Sequence, residues 1–304
     1  MCAEFAGSGR RERCGSKLVQ PTLAQPTLAQ RVLPMVRACH AQPTLAVTAF
    51  STALAVGGGR RWGSISVAGA ALAGQLAVGW SNDYLDRDRD RLVGRTDKPL
   101  VAGEVSAKAV RNGAVGAALA CVPLSLLSGK RAAAVHAVAV GAALAYNAGL
   151  KGTVYSAAPY AVAFGALPAF VSLGGRSPRR PPATAMLAAA LMGSGAHFVN
   201  TLADLDDDAV AGIRGLPHRL GATRSLLAGA GLLGAATAIV AGAGSRPLGR
   251  NGTAMTAVAA TSVAGVVVAT LAGRRRAAWS MSLGTAALTV ALYVGRSSEL
   301  IRSR

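Results

Sequence analysis

AGAALAGQLAVGW, residues 68–80, runs directly into SNDYLDRDRD, residues 81–90. The first segment belongs to an apolar stretch long enough to cross a bilayer, and the second sets Asn82, Asp83, Asp86 and Asp90 at its mouth. Carboxylates are costly in that position, so a functional role is the default reading. At roughly 100° per residue these four side chains fall within an arc of about 100° on one helix face, while Asp88 points away. A close row of hard oxygen donors suits Mg²⁺, an ion that usually carries a phosphate with it.

The rest of the chain agrees with a membrane setting. Of its 304 residues, 52% are hydrophobic and 15% charged, and the mean hydropathy is +0.39. Charges come in short bursts between nine apolar blocks, at about 42–58, 64–82, 109–128, 132–150, 154–174, 183–203, 223–244, 253–272 and 277–295, each close to the length of a spanning helix. Ala and Gly dominate these blocks, and small residues let helix backbones approach closely in lipid. The expected fold is an all-α polytopic membrane protein, with nine transmembrane helices around a central cavity and cytoplasmic cap loops. A net charge of +19 then reads as Lys and Arg meeting the headgroups of membrane lipids. No RNP, zinc-finger or helix-turn-helix pattern accompanies that charge, so nucleic acid is not an expected partner. Cys2, Cys14, Cys39 and Cys121 form no CxxC pair, which argues against a disulfide framework or a zinc site.

Residues 1–36 are polar, basic and repetitive, with QPTLA at Gln20, Gln25 and again at Gln42. They read as a disordered arm, with Met35 an alternative start, and lack the apolar segment of a signal peptide. A transmembrane domain is expected over 37–296 and a short polar tail over 297–304. With nine spans, the charged loops 83–108 and 204–222 share a side with the N-terminus. That side carries twenty of the 32 Lys and Arg residues, so the positive-inside rule puts both acidic loops in the cytoplasm of an integral plasma-membrane protein.

The second acidic stretch is HFVNTLADLDDDAVAGIRG, residues 197–215. Asn200, Asp204 and Asp208 repeat the spacing of Asn82, Asp86 and Asp90. Asp207 falls on the same face, within roughly 60° of Asp204, while Asp206 points away. Two such combs at the same end of two helices can converge across one cavity. Each can hold one Mg²⁺, and two ions can clamp a diphosphate. Acids in loops are ordinarily solvated surface, but eight of only 13 acidic residues lie in these two matched clusters. A transporter would place its acids near mid-span. A CDP-alcohol transferase would show a DG-x-x-AR core, which is absent.

These residues resemble the UbiA superfamily of intramembrane prenyltransferases. Asn82-Asp83-Tyr84-Leu85-Asp86-Arg87-Asp88-Arg89-Asp90 is similar to its NDxxDxxxD motif, and Asp204 to Asp208 is similar to its DxxxD motif. Asp97-Lys98-Pro99-Leu100 with Gly103 and Ser106 resembles the RPL loop, and Tyr146 to Lys151 resembles the Y-x-x-x-(LI)-K signature. Gly212-Ile213-Arg214-Gly215 stands where the family often has GIKS; Arg still meets a phosphate, bidentately. The resemblance implies a transferase moving an isoprenyl group from an isoprenyl diphosphate donor to a lipophilic or aromatic acceptor, through an allylic carbocation. Asp83, Asp86, Asp90, Asp204 and Asp208 would hold Mg²⁺. Asn82, Lys98, Lys151, Arg214 and Asn200 would meet the diphosphate, and Asp83, Asp86, Asp204 and Lys151 would carry the catalysis. A transporter and a non-catalytic relative are the alternatives. Among weaker candidates, His197 reads first as a structural hydrogen bonder. Tyr146 and Asn147 read as acceptor-lining or interfacial, and Arg274-Arg275-Arg276 as a headgroup-binding run. His136 is given no catalytic role.

Overall fold

The computed structural model describes residues 28–175, 178–243 and 247–301. Among them there is no strand. The helices are α1 (Leu28–Ala38), α2 (Ala41–Gly57), α3 (Gly63–Leu92), α4 (Ala107–Leu126), α5 (Lys130–Asn147), α6 (Ala158–Ser172) and α7 (Ala183–Thr201). They continue as α8 (Leu205–Val210), α9 (Leu216–Gly242), α10 (Arg250–Leu271), α11 (Arg275–Gly295) and α12 (Ser297–Ile301). A 3₁₀ turn, Leu150–Gly152, links α5 to α6.

Each of the nine apolar blocks forms one long helix: α2 to α7, then α9 to α11. By length and hydropathy, α3, α4, α9, α10 and α11 can each cross a bilayer, while α6 is apolar but only 15 residues long. The fold is that of a polytopic membrane protein. Consecutive helices pack side by side, and α11 reaches back to α2 and α7, so the bundle closes on itself. Phe50, Leu54, Val67, Phe170, Met192, Leu233 and Tyr293 fill its core. The Tyr293 hydroxyl donates to the Ala185 carbonyl at 2.8 Å, which satisfies a polar tip in a setting without water. Thr237 and Thr289 hydrogen bond at 2.7 Å between α9 and α11, as small hydroxyl residues do between membrane helices.

Two expected boundaries shift. Helix α1 begins at Leu28, inside the stretch read as a disordered arm, and residues 1–27 lie outside the described residues. Pro34 and Ala38 on α1 are buried, which orders this part of the arm. Of the stretch read as a polar tail, residues 297–301 form α12, whose Leu300 and Ile301 are buried in the core, and residues 302–304 lie outside the described residues. Two apolar side chains one helix turn from the α11 terminus gain more by packing on α2 and α6 than by remaining in solvent.

The connections fall at two ends. One end carries the 39–40 turn, the 93–106 loop, the 148–157 link and the 202–215 segment. The other carries residues 58–62, 127–129, 173–182 and α12. All the acidic residues of both clusters lie at the first end.

Candidate active site

Helix α3 runs unbroken for 30 residues, so Asn82, Asp83, Asp86 and Asp90 share one rigid rod. Arg89 and Arg91 occupy its last turn, where cations favour the helix dipole and offset the acids. Gly79 lies one turn before Asp83; a Cβ there would overlap the Cys39 carbonyl. Its absence lets the turn before α2 lie directly on α3. That turn delivers His40, in the left-handed region at φ 55, and its Nε2 donates to Asp83 Oδ1 at 2.9 Å. Asp83 is only 2% exposed. Lys98, from the 93–106 loop, donates to the same Oδ1 at 2.9 Å and lies 3.1 Å from Asp90 Oδ2. The second contact is poorly aligned, and Asp90 Oδ2 is buried with no hydrogen-bond partner.

Asp86 has a different set of partners. Lys151, buried in the 3₁₀ turn, donates to both of its oxygens. Arg89 reaches Oδ1 at 3.1 Å and Asn82 Nδ2 reaches Oδ2 at 3.1 Å. Asn82 also donates to Asn147 Oδ1 at 3.2 Å, and Asn147 Nδ2 donates to the Val78 carbonyl at 2.8 Å and to Ser81 Oγ at 2.9 Å. Asn147 therefore clamps α5 to α3 rather than facing an acceptor. At Gly215 a Cβ would overlap the Lys151 carbonyl, so this glycine seats the loop after the second cluster on the turn that carries Lys151.

The second cluster is not the continuous helical comb expected from its spacing. Helix α7 ends at Thr201, and a separate six-residue helix, α8, begins at Leu205 with Asp206, Asp207 and Asp208 in its first turn. Three consecutive carboxylates favour a helix N-terminus, where the dipole is positive, over a helix C-terminus. Arg95 ties this cluster to the first. Its Nη1 lies 3.3 Å from Asp204 Oδ1 and 3.6 Å from Asp207 Oδ2, while Nε and Nη2 grip Asp97 at 3.0 and 3.2 Å. His218, at the start of α9, lies 3.2 Å from Asp208 Oδ2, off hydrogen-bond alignment. Helix α9 breaks at Gly221, where φ is 76, so the turn bearing His218 departs from the spanning part of that helix.

The electrostatics follow from these pairings. Burial alone would lower the Lys98 pKa, but Asp83 and Asp90 outweigh it and hold the ammonium above its ordinary 10.5. The hydrogen bonds from Arg95 hold the Asp97 carboxyl below its ordinary 3.8, and the same pairing raises the Arg95 pKa. Asp86, Arg89, Asp90 and Arg95 face Asp207 and Asp208 across a cavity of about 30 Å³, room for a water and too little for a diphosphate. Cations draw the clusters together and fill the space between them.

Several sequence candidates take positions of their own. Asn200 and Arg214 are exposed, and Arg214 accepts from Arg219 Nε through its backbone carbonyl. His197 is buried and bonds Ser156 Oγ at 3.0 Å, and the Leu216 N–H donates to that same hydroxyl at 3.0 Å, a structural role. Tyr146 packs edge-on to Tyr160 and His197. His136 bonds Ser125 Oγ at 2.7 Å and stacks on Phe170 in the core. Asp88 and Asp206 are exposed, and so are Arg274, Arg275 and Arg276. Sequence reasoning missed His40, Arg95 and His218 as site residues. Each meets its carboxylate through folding alone, and the only local signal is a cation or imidazole in a loop flanking an acidic cluster.

Among the described residues, no three His, Cys, Asp or Glu groups converge as a metal requires. The donor chemistry nonetheless fits Mg²⁺: five carboxylates, one with a buried oxygen lacking a hydrogen bond.

The profile of the UbiA prenyltransferase family matches residues 44–288. A curated relative, digeranylgeranylglyceryl phosphate synthase of Natronomonas pharaonis, is 32% identical over 174 residues, which cover 55% of this chain and 62% of the relative. The chain is thus matched to less than two thirds of that relative's length. The fold is similar to a structure of digeranylgeranylglyceryl phosphate synthase in membranes, with TM-score 0.66 and 14% identity over 88% of this chain and 99% of that one. It is also similar to a UbiA homolog from Archaeoglobus fulgidus bound to GPP and Mg²⁺, with TM-score 0.58 and 17% identity over 87% and 99%.

Proposed function

We propose, since the chain belongs to the UbiA prenyltransferase family, that it transfers an isoprenyl group from an isoprenyl diphosphate to a lipophilic acceptor within the membrane. The observation that carries this reading is the meeting of Asp86 and Asp90 with Asp207 and Asp208 across one cavity, although the two pairs are far apart in sequence. The GPP and Mg²⁺ bound by the Archaeoglobus fulgidus homolog support the donor class and the metal. The Natronomonas pharaonis relative supports a glyceryl phosphate lipid as acceptor over an aromatic ring.

Asp83, Asp86, Asp90, Asp204 and Asp208 would hold Mg²⁺, with two ions as our reading. Bound there, the metal neutralises the diphosphate and makes it a better leaving group. The chain's own cations do the rest. Lys98 and Lys151 already stand against Asp83 and Asp86 and can turn to the departing diphosphate. Arg214, exposed on the loop that Gly215 seats over Lys151, reaches the same charge from outside. Asn82 holds Asp86 in register, and Asn200 offers an amide at the end of α7. Apolar helix walls exclude water while the allylic cation is captured. In this reading nine helices span the plasma membrane, the acidic end faces the cytoplasm, and residues 37–296 form the catalytic unit.

The test is incubation of membranes with labelled isoprenyl diphosphates of several lengths and an acceptor panel, followed by mass spectrometry of the lipids. A prenylated lipid formed by the wild type and not by Asp86→Ala is the expected result. Diphosphate release without any prenylated product would sink the transferase reading. Full turnover in excess EDTA would remove the metal from it.

A further inference from the structure

The end of the bundle opposite the acidic clusters holds a much larger cavity, of about 670 Å³, in the range that accommodates a sizeable organic ligand. Arg60, Arg61 and Trp62 from the turn between α2 and α3 line it, with Ser172, Arg179 and Ile301. No carboxylate is among the lining residues described.

Two observations show that this cavity is chemically incomplete. The first is Arg60. Its Nη1 donates to the Val171 carbonyl at 2.9 Å and its Nη2 to Ser128 Oγ at 3.1 Å, and among the described residues no carboxylate pairs with it. Burial pushes its pKa down from the ordinary value, because the charge is partly removed from water. A partly desolvated cation with only neutral partners is a cost that an anion would offset. The second is Ser172, 7% exposed, whose Oγ is buried without a hydrogen-bond partner. Buried hydroxyls are nearly always paired, so an unpaired one on a residue that lines the cavity is a donor the chain itself leaves unused. Arg61 adds a third sign: it holds φ 46, a costly conformation for a residue other than glycine, and such strain clusters at ligand sites.

We propose that this cavity binds the phosphate of an anionic phospholipid at the membrane face opposite the acidic clusters. Arg60 and Arg61 meet the phosphate oxygens, and the Ser172 hydroxyl donates to one of them. The cavity far exceeds a lone phosphate. Ile301 and Leu127 offer it apolar wall, and Trp62, 82% exposed, adds the amphipathic ring that membrane–water interfaces favour. A lipid headgroup and a free phosphate share the recognition chemistry, and the walls favour the lipid. This site is independent of the transferase reading, because no residue of the acidic end takes part in it.

The experiment is native mass spectrometry of the full chain in detergent, titrated with phosphatidylglycerol, phosphatidylcholine or inorganic phosphate. One phosphatidylglycerol retained per chain, in preference to phosphatidylcholine, is expected. Arg60→Gln would also cut the ties to Val171 and Ser128, so the deciding variants are Ser172→Ala and Arg61→Gln. Loss of a hydrogen bond to a charged group should weaken retention in each about tenfold, with melting temperature unchanged. A purely structural serine would leave retention as it was when its open hydroxyl is removed. Equal retention of both lipids, wild-type retention in both variants, or an equal loss in Arg275→Gln at the other end would overturn the proposal. Saturation by millimolar inorganic phosphate that displaces the lipid would overturn the lipid assignment in favour of a small-anion site.

Discussion

The two acidic clusters share the spacing Asn-x₃-Asp-x₃-Asp and fold in opposite ways. The first sits on the unbroken rod of α3, with Asp83 and Asp86 2% and 8% exposed and Lys98, Lys151 and the His40 imidazole brought to them from three other segments. The second straddles a helix break, with the Asp204 and Asp207 side chains about half exposed, and Arg95 holds it from across the cavity. Identical spacing therefore says which carboxylates can align, and the surroundings decide whether they do. The first cluster is a preformed wall, buried at a cost that only fixed counter-charges offset. The second is a solvated arm drawn towards that wall. On the proposed function, a diphosphate would reach the second cluster only as the Arg95 guanidinium turns from Asp204 and Asp207 to the incoming phosphate oxygens, because the space now left is that of a water.

The comparison can be broken most forcefully at Asp86. Asp86→Ala should remove transfer by three orders of magnitude or about that. It should also destabilise the protein by about 3–5 kcal/mol, because Lys151 is left buried without a carboxylate. Thermal melting would show whether adding Lys151→Met restores stability while activity stays lost. If Asp86→Ala melts like the wild type, the first cluster is not the fixed half. Asp204→Ala should cost as much or nearly as much activity and leave melting within about 0.5 kcal/mol, since its side chain is half in water. A large melting shift there would erase the difference between the clusters.

Arg95 tests the link between them. Arg95→Ala should loosen the 202–215 segment to limited proteolysis and raise KM for the donor about tenfold with a smaller change in kcat. Arg95→Lys should recover part of the loss as a point charge that cannot grip Asp97 with two nitrogens. The smallest effect concerns pH. The Asp97 carboxyl is depressed, so its tie to Arg95 is fully present above the ordinary 3.8 and is lost as pH falls through the depressed value. Proteolytic protection of the 93–106 loop should therefore persist through neutral and mildly acid pH and fail only below the ordinary aspartate range. Failure near neutrality would show that something other than this pair holds the loop.

Much of the architecture was legible in the chain. Nine apolar blocks became nine helices, five of them long and apolar enough to cross a bilayer, because an apolar run has few alternatives in lipid to satisfying its own backbone as a helix. The first cluster was legible as a comb because its periodicity lies inside one of those helices. The second was misjudged by the same rule: periodicity presumes a continuous helix, and Asp206, Asp207 and Asp208 start a new one. The tail over 297–304 looked polar by count, yet Leu300 and Ile301 are enough to pin its described part, residues 297–301. His40 carries no pattern at all; it meets Asp83 only because Gly79 lets two backbones touch.

What the sequence determined by itself is the membrane setting, the number of long helices, and the two sets of carboxylates at one end of the bundle. These depend on runs and periods, which are local. Only the tertiary structure decided which cation serves which carboxylate: Lys98 with Asp83, Lys151 with Asp86, Arg95 with Asp204. Coulomb attraction acts between neighbours in space, and a spacing of 65 or 109 residues along the chain carries no trace of it until the helices are packed.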